Sequence, residues 1–309
     1  MKKSAIIRIV FASIAIVILT SVLVLGLSGG FSGMMGFSFG GMYSYADYEL
    51  YSAGDASVAT DGIERLDIGW IAGGVNITTH NGSEILVSES NSDRLEEDEK
   101  LRYLVKNGVL YVKYWAPRKF FSVKRLVTPG KQLTVSVPES KYDLLNTVDI
   151  DTVSARIELS GIAANEFKLN SVSGAVSASL EGRSESISAK TVSGAVYIKG
   201  VSDYVELNSV SGGLMCEGEI VRLKGKNVSG AVTANLDNCP ENVSIGTVSG
   251  SIRLTIPDNE GFTASYSFVS GAFNSSFATV NSKDQAVYGN GNAKFEFNAV
   301  SGSVTVNER

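Results

Sequence analysis

Histidine, cysteine, proline and charge are all scarce in this chain of 309 residues. It holds one His, two Cys and five Pro, and 19% of its residues are charged. A single histidine (His80) and two cysteines exclude a His-built metal cage, a four-cysteine zinc site and a disulfide-built mini-scaffold. No metal or cofactor is therefore expected. A charged fraction below the usual quarter excludes a disordered polyelectrolyte and a coiled coil. The first 30 residues carry Lys2, Lys3 and Arg8 and no acid. Removing those three leaves 24 basic against 32 acidic residues, a net charge of −8. Such a body repels nucleic acid, and no basic helix or stripe is evident to reverse that. Glycine is the opposite case, with 32 residues, above its usual share of about 7%. Many positions therefore want a tight or left-handed backbone.

Residues Ile9 to Leu27 run for 19 positions without a charge. As a helix they span roughly 28 Å, close to the hydrocarbon thickness of a bilayer. The cations lie on the amino-terminal side. The expectation is a cytoplasmic tail over 1–8, a transmembrane helix over 9–27 and an exported remainder at the cell surface. A cleaved signal peptide is the rival reading. Its apolar run would ordinarily be shorter, and Leu25-Gly26-Leu27-Ser28-Gly29 is a poor cleavage site. Residues 28–60 are rich in Gly, Ser and aromatics, including Tyr43, Tyr45, Tyr48 and Tyr51. They read as a flexible spacer whose aromatics could meet the membrane interface.

The remaining glycines fall on a repeat. Val-Ser-Gly begins at Val172, Val192, Val210, Val228, Val248, Val269 and Val300, with Val-Ser-Ala at Val153 and Ile-Ala-Gly at Ile71. From Val153 to Val269 the spacings are 19, 20, 18, 18, 20 and 21, and the last step is 31. Apolar residues alternate with Ser, Thr, Asn and charged residues on both flanks, as in Val148/Ile150 before Val153 and Ile157/Leu159 after it. Period two predicts a short strand on each side, with one buried face. The two alternations are out of phase across the Ser-Gly step, so a bend there returns both apolar faces to one interior. The corner glycines are Gly73, Gly174, Gly194, Gly212, Gly230, Gly250, Gly271 and Gly302. A unit this short cannot bury its own face, so units must stack. The fold class expected over 61–309 is all-β: a parallel β-helix-like solenoid of about nine rungs, roughly 43 Å long. An excursion over 84–140 interrupts it. There Asn107-Gly108 signals a hairpin, and Glu89 to Lys100 reads as an acidic, perhaps short helical, connection.

Few residues invite chemistry. Asp149 and Asp151 alternate outward near Arg156, at a spacing that would suit a paired-carboxylate hydrolase. Neighbouring rungs place Lys168/Asn170 and Glu206/Asn208 in the same columns, so the pair reads as a solvated face. Repeated serines without a base argue against nucleophilic catalysis. Cys216 takes an inward position and reads as a buried free thiol, in a different column from Cys239. His80, beside Asn81-Gly82, reads as an exposed loop residue. Arg118-Lys119-Phe120-Phe121 with Lys124 and Arg125 is the one basic-aromatic cluster evident in the sequence, a candidate contact for anionic lipid or wall polymer.

The Leu66-Asp-Ile-Gly-Trp-Ile-Ala-Gly-Gly opening, the Leu133-Thr-Val-Ser-Val-Pro segment, the Val-Ser-Gly ladder and the Phe295-Glu-Phe-Asn-Ala-Val-Ser-Gly ending resemble the bacterial DUF4097 family of adhesin-like β-strand-repeat proteins. The resemblance covers about residues 62–307. It implies a non-enzymatic, membrane-anchored protein of the cell envelope and transfers no catalytic residue. The expected partners are envelope glycan, cell wall or protein. The alternative is an accessory of an envelope-stress response acting through a membrane protein partner. The ligand, handedness and oligomeric state stay open.

Overall fold

The computed structural model describes residues 45–117, 130–139 and 145–309, and the backbone alone of Phe37–Ser38, Met42–Tyr43 and Arg118–Lys119. The cytoplasmic tail and transmembrane segment expected over 1–27 lie outside the described residues. Among those described, no helix is long and apolar enough to cross a membrane. The architecture is all-β, an open arrangement of stacked strands, and divides into two compact units at Gly182/Arg183. Each rung is named below by the first residue of its corner.

In the unit ending at Gly182, Arg65–Trp70 and Gly74–His80 flank the Ile71 corner. Thr147–Thr152 of the Val153 rung pairs in parallel with Arg65–Trp70 on one side and Glu166–Ser171 on the other. Its register sets Val148 against both Leu66 and Phe167. Past the corner, Arg156–Ile162 lies between Gly74–His80 and the strand beginning at Val176. Like positions therefore stack, and the inward columns Leu66/Ile68, Val148/Ile150 and Phe167/Leu169 are all buried.

The excursion is more ordered than the sequence suggests. Val109–Lys113 pairs in parallel with Arg65–Trp70, and Gln132–Pro138 with Gly74–His80. Together they add a further rung. The antiparallel strands Arg102–Lys106 and Glu84–Ser90 cover its outer edge. Asn107 and Gly108 turn the hairpin with φ of 52° and 76°, as a two-residue loop of left-handed residues should. The connection after Glu89 is not helical. Glu89 sits in a strand, accepts the Leu101 amide at 2.8 Å and pairs with the buried Lys131 ammonium at 2.8 Å. That charge serves the interior and is not a solvated helix face.

The spacer reading fails for residues 45–60. Ser52–Ala53 pairs antiparallel with Arg102–Lys106, and Ala56–Ala59 with Glu84–Ser90. Val58 is buried. The Tyr45 hydroxyl donates to the Trp115 carbonyl at 3.0 Å. Burial pushes the hydroxyl pKa values of Tyr45 and Tyr51 upward. Weak hydrophobic periodicity concealed this segment, because it is an antiparallel edge anchored by a few aromatics.

In the unit from Arg183 onward, Val196–Ser211 and Leu214–Ser229 run parallel and nearly in register over their whole length. Asn242–Ser249 and Ile252–Ile256 follow as the Val248 rung. Chain order then breaks. Ala293–Ser301 pairs with Asn242–Ser249, and Val304–Glu308 with Ile252–Ile256. Gly261–Ser270 and Phe273–Ser275 pair with the far sides of those strands. The Val300 rung is thus inserted between the Val248 and Val269 rungs. The long last step holds the antiparallel hairpin Val280–Asn281/Gln285–Gly289, which folds onto Gly261–Ser270. Phe262 fixes this arrangement by packing against Phe277, Tyr288 and Phe295 with ring centroids 4.9–5.6 Å apart.

Candidate functional site

The corners are the most regular feature, and the structure refines why glycine occupies them. Gly73 and Gly302 have φ of +92° and +145°, a region that side chains resist. Gly174, Gly212, Gly250 and Gly271 do not have positive φ. At these four the constraint is space. A Cβ on Gly174 would collide with the Ala155 carbonyl, on Gly212 with that of Gly194, on Gly250 with that of Gly230, and on Gly271 with that of Gly302. Gly230 combines positive φ with contact on the Gly212 carbonyl. Gly194 receives a side-chain bond from within its own corner.

That bond comes from a column the sequence reading overlooked. The residue before each corner is Thr152, Ser171, Thr191, Ser209, Asn227 or Thr247, and all six are buried. The Gly174 amide donates to Ser171 Oγ at 2.8 Å, and the Gly194 amide to Thr191 Oγ1 at 2.9 Å. Thr152 Oγ1 donates to Ser171 Oγ at 2.9 Å, linking two rungs. The corner serines play the lesser part: Ser154 and Ser173 donate to carbonyls of the rung beside them at 3.2 and 3.3 Å. The recurrence of Thr, Ser or Asn before Val was the available signal.

The acidic pair is not a solvated face. Asp151 is 8% exposed and accepts Asn170 Nδ2 at 3.0 Å. Asp149 pairs with Arg65 at 2.7 Å, while Arg156 pairs with Glu158. The register brings Asp67 beside Asp149, and Lys113 bonds Asp67 at 2.7 Å. Three carboxylates therefore gather around two cations. The sequence reading compared Asp149 only with later rungs and missed the acid on the earlier one. Burial pushes Asp151 up to about 7, with Asp149 and Asp67 adding to the rise and the Asn170 hydrogen bond and Lys113 opposing it. Burial raises Asp149 as well, against the attraction of Arg65. Among the described residues no group of His, Cys, Asp and Glu is arranged to hold a metal ion.

Both cysteines are free thiols. Burial pushes Cys216 up to about 12 and the half-buried Cys239 to about 11, so neither is an activated nucleophile. His80 ends a strand and braces the next turn. Nδ1 accepts the Gly82 amide at 3.1 Å, which leaves Nε2–H to donate to the Glu84 carbonyl at 2.8 Å. Arg118–Lys119 form a two-residue strand against Met42–Tyr43, and Lys124 and Arg125 lie outside the described residues.

A second basic-aromatic cluster, which the sequence reading passed over, lies in the unit from Arg183 onward. Arg222, Lys224 and Lys226 alternate outward along Leu214–Ser229. The strand beside them presents the short side chains Asn242 and Ser244, then Gly246. The next presents Lys294, Glu296 and Asn298. Long rows on either side of a short row leave a trough, part of a cavity of about 600 Å³. The Arg222 guanidinium lies 5.7 Å from the centroid of the Tyr204 ring, at one wall. Lys224 is held by Glu206 at 3.2 Å. Burial pushes Glu206 up, but the hydrogen bond and charge of Lys224 outweigh it and leave the carboxyl below its usual range. Lys294 donates to the Gly291 carbonyl at 2.7 Å. The pattern Arg-Leu-Lys-Gly-Lys was legible as an outward basic stripe, because period two puts all three cations on one face.

Stacked parallel rungs with regular polar rows outside define a repeat protein whose surface suits extended contacts. The chain belongs to the Toastrack DUF4097 family, whose model matches residues 63–307. Two crystal structures are similar to it. One, described as a "putative adhesin" from Bacteroides fragilis NCTC 9343, is 13% identical, with 84% of this chain and 97% of that chain covered and a TM-score of 0.47. The other, a "putative cell adhesion protein" from Clostridium sporogenes ATCC 15579, is 14% identical, with 84% and 100% covered and a TM-score of 0.26. The search of curated proteins gives no match.

Proposed function

We propose that this is a non-enzymatic, adhesin-like protein, anchored by residues 9–27 and displaying residues 45–309 outside the cytoplasmic membrane to bind cell-envelope material. The observation that carries the reading is the polar trough between the Arg222/Lys224/Lys226 and Lys294/Glu296/Asn298 rows. It is an open surface on a rigid sheet, where several weak contacts can add. Family membership and the charge-free run Ile9 to Leu27 support the anchored, exported placement.

The test is protease accessibility combined with cosedimentation. In intact bacterial cells the tagged full chain should fractionate with membranes and lose residues 45–309 to external protease. The purified full chain should cosediment with envelope fragments. A chain that stays protected in intact cells, or that sediments with no envelope fraction, would overturn the reading.

A further inference from the structure

We infer that the trough of the Arg183–Arg309 unit is a binding site for an anionic polyol polymer, a chain of repeating hydroxyls and acidic groups. This rests on the display reading above and names the ligand class of that surface. The charges supply the first argument. Successive outward residues on a strand are about 6.6 Å apart, so Arg222, Lys224 and Lys226 set three cations along about 13 Å of one wall. Lys294 faces Arg222 across Asn242, two strand spacings or about 10 Å away. Against these four cations stand Glu206, already held by Lys224 and Lys190, and Glu296, which accepts Asn298 Nδ2 at 2.9 Å. Arg222, Lys226 and Lys294 are exposed and form no ion pair with a described residue. They make a locally positive strip on a chain whose net charge is −5. Such a strip draws in a polyanion and repels neutral or cationic chains only weakly or strongly in turn.

The lining supplies the second argument. The floor offers the Asn242 amide and the Ser244 hydroxyl, and the far side offers Thr263 and Gln285. These are donors and acceptors suited to hydroxyls. The Tyr204 ring adds a flat apolar surface beside the arginine. The third argument is continuity. Asn242 and Lys294 also line a neighbouring depression with Glu241 and Asn292. Ser265, Gln285 and Glu296 line another with Tyr266 and Asn298. Three depressions that share walls suit a chain better than a single small molecule.

The experiment measures binding of the full chain, purified in a neutral detergent, to polygalacturonate, poly(glycerol phosphate), polyglutamate and dextran. Binding to at least one of the first two is expected, weakening as salt rises, with dextran and polyglutamate at least tenfold weaker. Carboxylated and phosphorylated sources are distinguished by which of the two binds. Single changes Arg222→Gln, Lys226→Gln and Lys294→Gln should each weaken binding about three- to fivefold, and the triple variant on the order of fiftyfold if the sites are near-independent. All three side chains are solvent-facing, so the melting temperature should not move, and Lys283→Gln on the hairpin should leave binding intact. Equal binding of the triple variant, equal binding to polyglutamate, or no binding to either anionic polyol overturns the site. Envelope cosedimentation that survives in the triple variant would refute the trough and leave the display reading standing. Failure of the unmodified chain to cosediment would refute the display reading itself.

Discussion

Asp151→Asn should stabilise the protein at neutral pH and do little at pH 4. Asp151 is buried among Asp149, Asp67, Lys113 and Asn170, and its pKa rises from the ordinary 3.8 to about 7. At about 1.4 kcal/mol per pH unit, that displacement corresponds to about 4 kcal/mol. Because the folded-state value lies above the unfolded one, the folded chain binds the extra proton. The penalty for ionising Asp151 is therefore absent below about pH 4. It grows as pH rises toward 7 and is constant above that. Asparagine keeps an oxygen to accept Asn170 Nδ2 and carries no charge to desolvate. The variant should gain up to about 4 kcal/mol over the unmodified chain at pH 8 and under about 0.5 kcal/mol at pH 4. Urea unfolding of both proteins at the two pH values reads this directly. Comparing the pair cancels the titration of distant groups, and the value measured belongs to the carboxylate cluster as a whole. A variant that is destabilised at pH 8, or changed equally at both pH values, would refute the assignment of a buried, charge-penalised carboxyl.

Two further predictions concern packing. Gly250→Ala should cost about 3 kcal/mol or prevent folding, because its Cβ meets the Gly230 carbonyl. Gly246→Ala, whose nearest neighbour would be the Asn298 carbonyl at 4.0 Å, should melt within a few degrees of the unmodified chain; equal melting of both would remove the steric account of the corners. Lys131→Met should cost about 3–5 kcal/mol by stranding the buried Glu89 carboxylate, and adding Glu89→Gln should restore much of that. A double variant no better than the single in chemical denaturation would show that the ammonium matters for its ring contacts with Trp70 and Tyr114 more than for its charge.

The repeat was legible because each rung states its own rules. Val148/Ile150 and Ile157/Leu159 alternate with polar residues, and the Ser-Gly step marks where the phase changes. Those signals are local, and stacking multiplies them. The Asn107-Gly108 hairpin was legible for the same reason, since two adjacent residues fix its turn. What escaped was pairing between distant segments. Nothing within Ala293–Ser301 states that it lies beside Asn242–Ser249 and not beside Gly261–Ser270. The deciding contact is Phe262 on Phe295 and Phe277, which only the assembled unit reveals. The strands within 45–60 escaped likewise, because antiparallel edge strands are short and carry few inward residues.

The candidate sites separate along the same line. The Asp151 environment depends on Asp67, 84 positions away in sequence and on another rung. No reading of one strand could supply it. The basic stripe at Arg222, Lys224 and Lys226 lies within a single strand and could have been found by period two alone. What turns the stripe into a trough is nonetheless non-local. Asn242, Ser244 and Gly246 become a floor only because the Val300 rung is inserted beyond them, raising Lys294 and Glu296 as the second wall. In sequential stacking Thr263 and Ser265 would have stood there, and the positive strip would have had one wall. The departure from chain order is thus what gives this face its concavity, and the same Phe262 contacts that fix the rung order also shape the surface proposed to bind.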